Sequence, residues 1–289
     1  MSSNQTQLQK GDLLTQLHQN GKLLVLPNIW DPLGASLMES LGYPAIATAS
    51  ASIAFSNGYP DGEKIPFTDL LIILHRIVTQ VNIPVTADIE TGYAKNNHTL
   101  VENIKKLIDA GIAGINIEDS SNNDDSLTPL ETQCEKLSLI KKTAQAMGVR
   151  LFINARTDVY LKAGHLNHEQ KLADTILRGK AYKEAGADGF YPIFLKAKED
   201  VEAIIKAVAL PVNILLFPGI PDFETLQKTG VTRLSLGPGL LNIAINAMKN
   251  SAERLLRYEG MDEVTQNPVT MAYLNTLISR EDDRAETTY

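Results

Sequence analysis

The chain has 289 residues, of which 44% are hydrophobic and 21% are charged, and this balance excludes a disordered or fibrous protein. Its net charge of −7 argues against nucleic acid and anionic membrane as partners, because phosphate binding needs clustered lysine and arginine. The single cysteine, Cys134, excludes an internal disulfide and a thiolate metal cluster. We see neither a signal-like segment nor an apolar run of membrane-spanning length, and we therefore expect a cytoplasmic protein.

Eight apolar runs of strand length are bounded by glycine or proline, as buried parallel strands usually are. In chain order the predicted strands are 23–29, 45–48, 84–89, 114–117, 150–155, 189–194, 211–217 and 233–236. Stretches with helical spacing lie between most of them, at 69–81, 99–110, 129–147, 169–185, 198–208 and 223–229, and a last one follows at 239–256. Alternating strands and helices predict an α/β fold with a parallel sheet.

The joints between helix and strand repeat along the chain. A glycine follows several predicted helices just before the next strand, and Gly111, Gly148 and Gly186 are 37 and 38 residues apart. That spacing is typical of one βα unit, and eight units over about 250 residues predict a (β/α)8 TIM barrel. The rival is a doubly wound open sheet, but no glycine-rich dinucleotide turn follows the first strand.

No change in composition marks a second domain, so residues 1–289 are predicted to form a single barrel domain, with the barrel at about 22–257. An extra C-terminal helix is predicted at about 266–280. Its apolar face needs a surface to cover, either on its own barrel or on that of a partner. The polar tail that follows is predicted to fray.

Acidic side chains follow two neighbouring predicted strands. Asp88 and Glu90 share one side of the third strand by the period of 2, and Glu118 ends the fourth. Three carboxylates would then converge at the barrel mouth, where a cation has to relieve their repulsion. Because no cysteine or histidine lies on these strands, the predicted cofactor is Mg²⁺, or alternatively Mn²⁺. The alternative is that these acids pair with basic residues or cap the following helices.

Arg156 is the one permanent cation on a strand in this group. Its planar guanidinium suits a bidentate grip on a carboxylate, and it can at the same time be the structural partner of Glu118 or Asp158. Lys196, just after the sixth strand, is the sole candidate for a Schiff base. The polar loop at 122–125 is either a mobile lid over the site or a solvated connection.

Five motifs lie at or near the ends of the predicted strands. They are PNIWD at 27–31, GYPDG at 58–62, ADIETGY at 87–93, NIED at 116–119 and NARTD at 154–158. In combination they resemble the isocitrate lyase / phosphoenolpyruvate mutase superfamily, and the resemblance runs from about residue 23 to about residue 240. It implies a TIM barrel whose C-terminal helix is swapped between subunits, in a homo-oligomer that is a dimer or a tetramer.

The resemblance also implies roles for single residues. Asp88, with Glu90 and Glu118 beside it, would bind Mg²⁺, Asp61 would lie near the metal and substrate as a catalytic residue, and Arg156 would hold the substrate carboxylate. The residues implied to bind the substrate, a small 2-oxo acid or dicarboxylate, are Trp30, Thr48, Ala49, Ser50, Arg156 and Asn213. The shared chemistry of the superfamily makes or breaks a C–C or P–C bond next to a pyruvyl unit, through a pyruvate enolate.

Departures from the superfamily pattern narrow the range of reactions that we expect this protein to catalyse. Residues 120–126 contain neither the catalytic cysteine of isocitrate and methylisocitrate lyases nor the gating lysine of the phosphonate enzymes, and Ile193 stands where isocitrate-type members carry glutamate. We therefore expect a Mg²⁺-dependent lyase or decarboxylase that cleaves a C–C bond of an oxaloacetate-like 2-oxo acid or a substituted malate. The alternatives are a phosphonopyruvate-type P–C hydrolase or mutase, a Schiff-base aldolase that uses Lys196, and a barrel that binds a keto acid without turnover.

Overall fold

A computed structural model of the chain describes residues 3–121 and 126–279, so the predicted lid at 122–125 and the tail from residue 280 lie outside the described residues. The helices are α1 (Ser3–Gln19), α2 (Pro32–Ser40), α3 (Ser50–Ser56), α4 (Phe67–Gln80), α5 (Asn97–Asp109), α6 (Leu130–Ala146), α7 (Val159–Lys162), α8 (His168–Glu184), α9 (Lys198–Val208), α10 (Phe223–Thr229), α11 (Gly239–Leu256), α12 (Met261–Thr265) and α13 (Met271–Ile278). The strands are β1 (Leu24–Leu26), β2 (Asn28–Ile29), β3 (Ile46–Thr48), β4 (Val85–Asp88), β5 (Gly114–Glu118), β6 (Phe152–Thr157), β7 (Gly189–Pro192), β8 (Asn213–Leu215) and β9 (Arg233–Ser235).

All the strand pairs are parallel, and together they close a circle. Strands β2 to β7 pair in chain order, a single bridge from Phe190 to Val212 joins β7 to β8, and β8 pairs with β9, which pairs with β1. Strands β1 and β2 are one barrel strand interrupted at Pro27, whose nitrogen has no hydrogen to donate to the ladder. The predicted eight-stranded parallel barrel is confirmed.

Amphipathic helices cover the outside of the barrel. The buried residues of α4 recur at helical spacing (Leu70, Leu74, Ile77, Val78), and the same pattern recurs in α5 (Leu100, Ile104, Leu107, Ile108). These side chains join the outward-facing residues of the strands in one continuous apolar core. The core fixes the strands, and the strands in turn fix the side chains at the mouth of the barrel.

Helix α1 was missed by the sequence reasoning, because its residues are mostly polar and its one fully buried apolar residue makes no helical pattern. Leu14 on α1 packs with Leu24, Leu26 and Phe152 at the N-terminal end of the barrel. The ring of His18 stacks on Phe152, with 4.0 Å between the ring centroids. Helix α1 therefore closes the end of the barrel that lies opposite the strand ends with the acidic residues.

The single C-terminal helix predicted at about 266–280 is wrong in its extent. The structure has two short helices, α12 and α13, and residues 266–270 between them are not helical. Pro268 explains the break, because it lacks an N–H and disfavours helical backbone at the residue before it. Helix α13 packs against α2 of the same chain, and Gln80 Nε2 donates to the Ile278 carbonyl at 3.3 Å.

Candidate active site

A large open cavity, with a volume of about 1540 Å³, lies at the C-terminal ends of β4, β5 and β6. Five of the predicted site residues line it, namely Ser50, Asp61, Glu90, Glu118 and Arg156. Trp30, Thr48, Ala49, Asp88 and Asn213 are not among its lining residues. Asp61, Glu90, Glu118 and the predicted arginine therefore meet at one opening, as the barrel topology requires, whereas Asp88 does not line it.

Asp88 lies at the end of β4 and is held from the β3 side. Ser50 donates its hydroxyl to Asp88 Oδ2 at 2.8 Å and its N–H to the same oxygen at 3.4 Å. The N–H of Asp88 donates to Thr48 Oγ1 at 3.1 Å. The second oxygen, Oδ1, is buried and has no hydrogen-bond partner within the described chain. The Thr48–Ser50 segment thus fixes Asp88 and leaves one of its carboxylate oxygens available to a ligand.

Glu118 and Arg156 lie opposite each other in the β5–β6 register, as their strand positions predict. Arg156 Nη1 lies 2.7 Å from Glu118 Oε2, while its Nε and Nη2 donate to the two oxygens of Asp158 at 2.6 and 2.9 Å. Three of the five N–H bonds of the guanidinium are occupied in this way, so one remains on each Nη. Glu118 and Asp158 hold Arg156 in a fixed plane, and Arg156 can still bind a further carboxylate.

Asp119 faces away from the cavity into a buried network of hydrogen bonds. It accepts from the hydroxyls of Thr157 (2.7 Å) and Tyr182 (2.6 Å) and from the Asp158 N–H (2.8 Å), and it pairs with Arg178 at 3.1 Å. A fully buried carboxylate with this many donors is a structural element. Asp119 supports the backbone that carries Asp158, which in turn orients Arg156.

Glu90 departs from the predicted strand geometry. Strand β4 ends at Asp88, and Glu90 has a positive φ of 51°, so the alternation that placed Asp88 and Glu90 on one face does not extend to Glu90. The Glu90 carboxylate reaches the cavity by another route, in which Oε2 accepts from the Glu63 N–H at 2.7 Å and Oε1 accepts from the Tyr93 hydroxyl at 2.9 Å. The Glu118 N–H also donates to the Glu90 carbonyl, at 2.8 Å.

The crowding of acids changes their proton affinities. Burial and the neighbouring Asp88 raise the pKa of Glu90 to about 8. The same two causes raise the pKa of Asp61, and burial raises the pKa of Glu118 well above its ordinary value against the opposing effect of Arg156. In the metal-free protein each of these carboxyl groups therefore binds a proton more readily than it would in water, and a bound cation would offset the same burial and repulsion.

The donor set fits a hard divalent ion, but it is not a preformed cage. Within the described ranges, no group of three or more His, Cys, Asp and Glu side chains is arranged to hold a metal. The unpartnered Asp88 Oδ1 is the oxygen best placed for direct ligation, whereas Glu90 and Glu118 are engaged by protein donors. Mg²⁺ commonly binds through one or two carboxylates and keeps several waters, and this arrangement suits it.

Two predicted substrate-binding residues lie elsewhere in the barrel. Asn213 is buried in β8, where its Nδ2 donates to Ser235 Oγ at 3.0 Å. Trp30 is partly buried and packs against the apolar core. Arg233, which the sequence reasoning missed, is fully buried at the start of β9, with its Nε donating to Ser235 Oγ at 3.1 Å and both Nη atoms unpartnered within the described chain. Its signal was the presence of an arginine at the start of a predicted buried strand.

Lysine side chains line the outer part of the cavity, and the sequence reasoning missed these as well. They are Lys64, Lys95, Lys136 and Lys162. Lys136 on α6 is half-buried, and burial lowers its pKa against the opposing effect of Glu63, Asp119 and Glu118. Their signal in the sequence was weak, because they lie on helices and loops rather than at strand ends. The cavity is therefore lined by acidic side chains, one arginine and four lysines.

Comparison with known proteins agrees with this geometry. The family model described as phosphoenolpyruvate phosphomutase matches residues 14–256. The chain is 26% identical to a 2-methylisocitrate lyase of Halalkalibacterium halodurans, with 97% of this chain and 93% of that protein covered. It is also 26% identical to an oxaloacetate decarboxylase of Pseudomonas entomophila, with 80% of each covered. A solved structure from Burkholderia cenocepacia J2315, described as a candidate phosphonomutase, superposes with a TM-score of 0.82 at 33% identity and covers 86% of this chain and 98% of its own.

Proposed function

Because the chain belongs to the phosphoenolpyruvate phosphomutase family, within a superfamily of lyases and mutases, we propose that it is a Mg²⁺-dependent C–C lyase or decarboxylase. Its substrate is a small 2-oxo acid with a second carboxylate, such as oxaloacetate, or a substituted malate. The observation that carries the proposal is an arginine with two N–H groups left that lines one opening with Asp61, Glu90 and Glu118, while Asp88 at the end of β4 has a carboxylate oxygen without a partner in the described chain.

Each side chain has a separate task in this proposal. The carboxylates of Asp88, Glu90 and Glu118 would hold the ion. A bound Mg²⁺ stabilises negative charge on the carbonyl oxygen of a 2-oxo acid. Arg156 binds the substrate carboxylate through the free N–H on each Nη, while Glu118 and Asp158 keep its plane fixed. Asp61 lies over the cluster and orients substrate or water.

The test is a substrate panel with and without Mg²⁺, in which pyruvate release is followed from oxaloacetate, 2-methylmalate, 2,3-dimethylmalate and phosphonopyruvate. We expect metal-dependent turnover of one of the first three and its loss on chelation with EDTA. Turnover that persists in EDTA, or no release from any of the four compounds, would contradict the proposal.

P–C bond cleavage is the second candidate. Two observations favour it, namely the similarity to the Burkholderia cenocepacia structure and the four lysines on the outer cavity wall, which suit a phosphonate dianion. Turnover of phosphonopyruvate alone would favour this candidate. The Schiff-base alternative has less support, because Lys196 is exposed and is not among the lining residues of the cavity.

We also propose that the protein is a homo-oligomer that exchanges helix α11 between subunits. Only Leu241 of the 18 residues in α11 is buried, whereas Ile243, Met248 and Leu256 are exposed by 67%, 62% and 82%. An eighth barrel helix with this apolar surface needs a barrel to cover, and a second copy provides one. Sedimentation should give a dimer or a tetramer, and the combined variant Met248→Glu, Leu256→Glu should shift it to the monomer. A monomeric parent protein at micromolar concentration would exclude the exchange.

A further inference from the structure

Two loops meet at the edge of the cavity and hold each other. The first is the Asp61 loop, residues 57–66, which joins α3 to α4, and the second is the turn after β4. Glu63 Oε1 accepts from the Thr91 N–H (3.1 Å), the Thr91 hydroxyl (2.7 Å) and the Tyr93 N–H (2.8 Å). In the opposite direction, the Glu63 N–H donates to Glu90 Oε2 at 2.7 Å. We call this set of contacts among Glu63, Glu90, Thr91 and Tyr93 the Glu63 clasp.

The backbone at the clasp is strained in a way that depends on these contacts. Glu63, Glu90 and Tyr93 have φ values of 55°, 51° and 53°, in the left-handed region that residues other than glycine seldom adopt. Such conformations persist only where the surroundings fix them, and they cluster at functional sites. The Glu63 clasp contacts all three residues, and the turn is also held by bonds from the Asn103 amide to the Gly92 and Tyr93 carbonyls and from the Glu118 N–H to the Glu90 carbonyl. Removal of the Glu63 carboxylate should therefore loosen both loops.

Asp61 lies two residues before Glu63, and only Gly62 separates them. Its carboxyl group lines the cavity together with Glu118 and Arg156, and burial and Asp88 raise the pKa of Asp61. The Asp61 loop contains several residues that favour turns or flexibility, among them Gly58, Pro60 and Gly62, and residues 60–62 are exposed. The position of Asp61 in the cavity therefore depends on anchors farther along the loop, which are Glu63 and the buried Ile65.

We propose that Glu63 is a positioning residue for Asp61, and that its carboxylate, bound to the backbone of the turn after β4, holds the Asp61 loop over the acid cluster. This inference rests on the proposed function in so far as the acid cluster is the site of the reaction. It assigns a role to a carboxylate that belongs neither to the metal set nor to the substrate set.

The chain offers a matched control at the other end of the barrel. Glu39 Oε1 also accepts from two backbone N–H groups of a neighbouring loop, those of Asn82 (2.8 Å) and Ile83 (3.3 Å). That loop precedes β4, whereas the turn in the Glu63 clasp follows β4. Glu39→Ala and Glu63→Ala thus remove the same kind of contact from opposite ends of one strand, and only the second variant should affect the site.

Hydrogen exchange tests the anchoring step without any turnover. Glu63→Ala should speed exchange of the amides at 63, 91 and 93 by roughly tenfold or more. The amides of Thr91 and Tyr93 lose their hydrogen bonds to the Glu63 carboxylate, and the amide at 63 loses the loop geometry that those bonds support. Glu63→Gln keeps an acceptor oxygen and should restore most of the protection, and Glu39→Ala should leave these amides unchanged. Unchanged exchange in Glu63→Ala would overturn the proposal, even if the substrate panel succeeds.

A double-mutant cycle tests the link to Asp61. On the substrate that the panel identifies, Glu63→Ala should lower kcat/KM by on the order of 10²-fold in the parent protein, because a displaced reacting group costs about that much. In the Asp61→Asn background the same change should cost less than about twofold, since the group that Glu63 positions is already gone. Equal losses in both backgrounds would overturn the proposal. If no panel compound turns over, the proposed function fails, and the exchange experiment still decides whether Glu63 anchors the loop.

Discussion

The two ends of the barrel differ in almost every physical respect. At the N-terminal end, α1 brings Leu14 and His18 onto Phe152, and the apolar side chains there are fully buried and closely packed. At the C-terminal end, five carboxylates and one arginine line the cavity, an oxygen of Asp88 has no partner in the described chain, and Glu63, Glu90 and Tyr93 have left-handed backbone. The first end stabilises the fold. The second holds groups that cost stability, and proteins retain such groups where a ligand or a reaction needs them.

Substitution of Asp88 tests this difference most directly. Asp88→Asn keeps the shape of the side chain and removes one of the crowded charges, so we expect turnover to fall on the order of 10²- to 10³-fold. The melting temperature should stay the same or rise, because less repulsion remains among Asp61, Asp88 and Glu90. Steady-state kinetics in Mg²⁺ and thermal unfolding of the metal-free protein measure the two effects. Unchanged turnover would show that the acid cluster takes no part in the reaction.

Arg156 should be costly to remove for both activity and stability. Arg156→Met leaves Glu118 and Asp158 buried without their cation, and breaking a buried ion pair on one side typically costs about 3–5 kcal/mol. Urea denaturation measures the loss. The double variant Arg156→Met, Glu118→Gln should recover part of it, since one of the stranded charges is then neutral, while activity stays absent. Equal stability of the single and double variants would mean that Glu118 and Arg156 are not coupled.

A cavity created by mutation at the N-terminal end of the barrel should lower stability and leave activity unchanged. Leu14 is fully buried between α1 and the strands, so Leu14→Ala should lower the free energy of unfolding by about 2–5 kcal/mol. At a temperature where the variant remains folded, kcat and KM should be those of the parent, because Leu14 lies at the end away from the cavity. A large change in kcat with an intact fold would show that the two ends are not independent.

The regular part of the barrel could be predicted from sequence because its signals are local. Each strand is an apolar run bounded by glycine or proline, and Asp88, Glu118 and Arg156 lie at strand ends where parallel topology brings them together. The pairing of Glu118 with Arg156 follows from register alone. These positions needed no knowledge of how distant loops fold.

The remaining features depend on contacts between distant segments. Glu90 looked like a further strand residue, but a turn places it in left-handed backbone, where it meets Glu63 from a loop 27 residues earlier. Helix α1 shows few apolar residues, and its role appears only when Leu14 and Phe152 meet. The break at Pro268 is different, because its signal was present in the sequence and the apolar spacing of the residues after it, Met271, Leu274, Leu277 and Ile278, outweighed it in the prediction.

The last effect expected at the N-terminal end is a dependence of stability on pH. His18 Nδ1 lies 2.7 Å from the Leu14 carbonyl, and Nε2 is buried without a partner in the described chain. Burial and the charge of Arg233 lower the pKa of His18 to about 3. Because an unfolded histidine has a pKa near 6.5, the unfolded state binds more protons between these values, and stability should fall by about 1.4 kcal/mol for each pH unit below 6.5.

His18→Phe isolates this contribution, since a phenyl ring preserves the stacking on Phe152 and cannot take up a proton. The free energy of unfolding of the parent minus that of the variant, measured from pH 7 to pH 4, should fall with that slope. The subtraction is needed because the acidic residues at the C-terminal end of the barrel give the stability the opposite dependence on pH. In the metal-free protein the raised pKa of Glu90, about 8, contributes stability at low pH that is lost as the pH rises through that value. The parent and the His18→Phe variant share the contribution of Glu90, so it cancels in the difference between them. A difference that does not change with pH would contradict the prediction, because it would mean that the His18 ring lies in a far more polar setting than its contacts with Leu14 and Phe152 indicate.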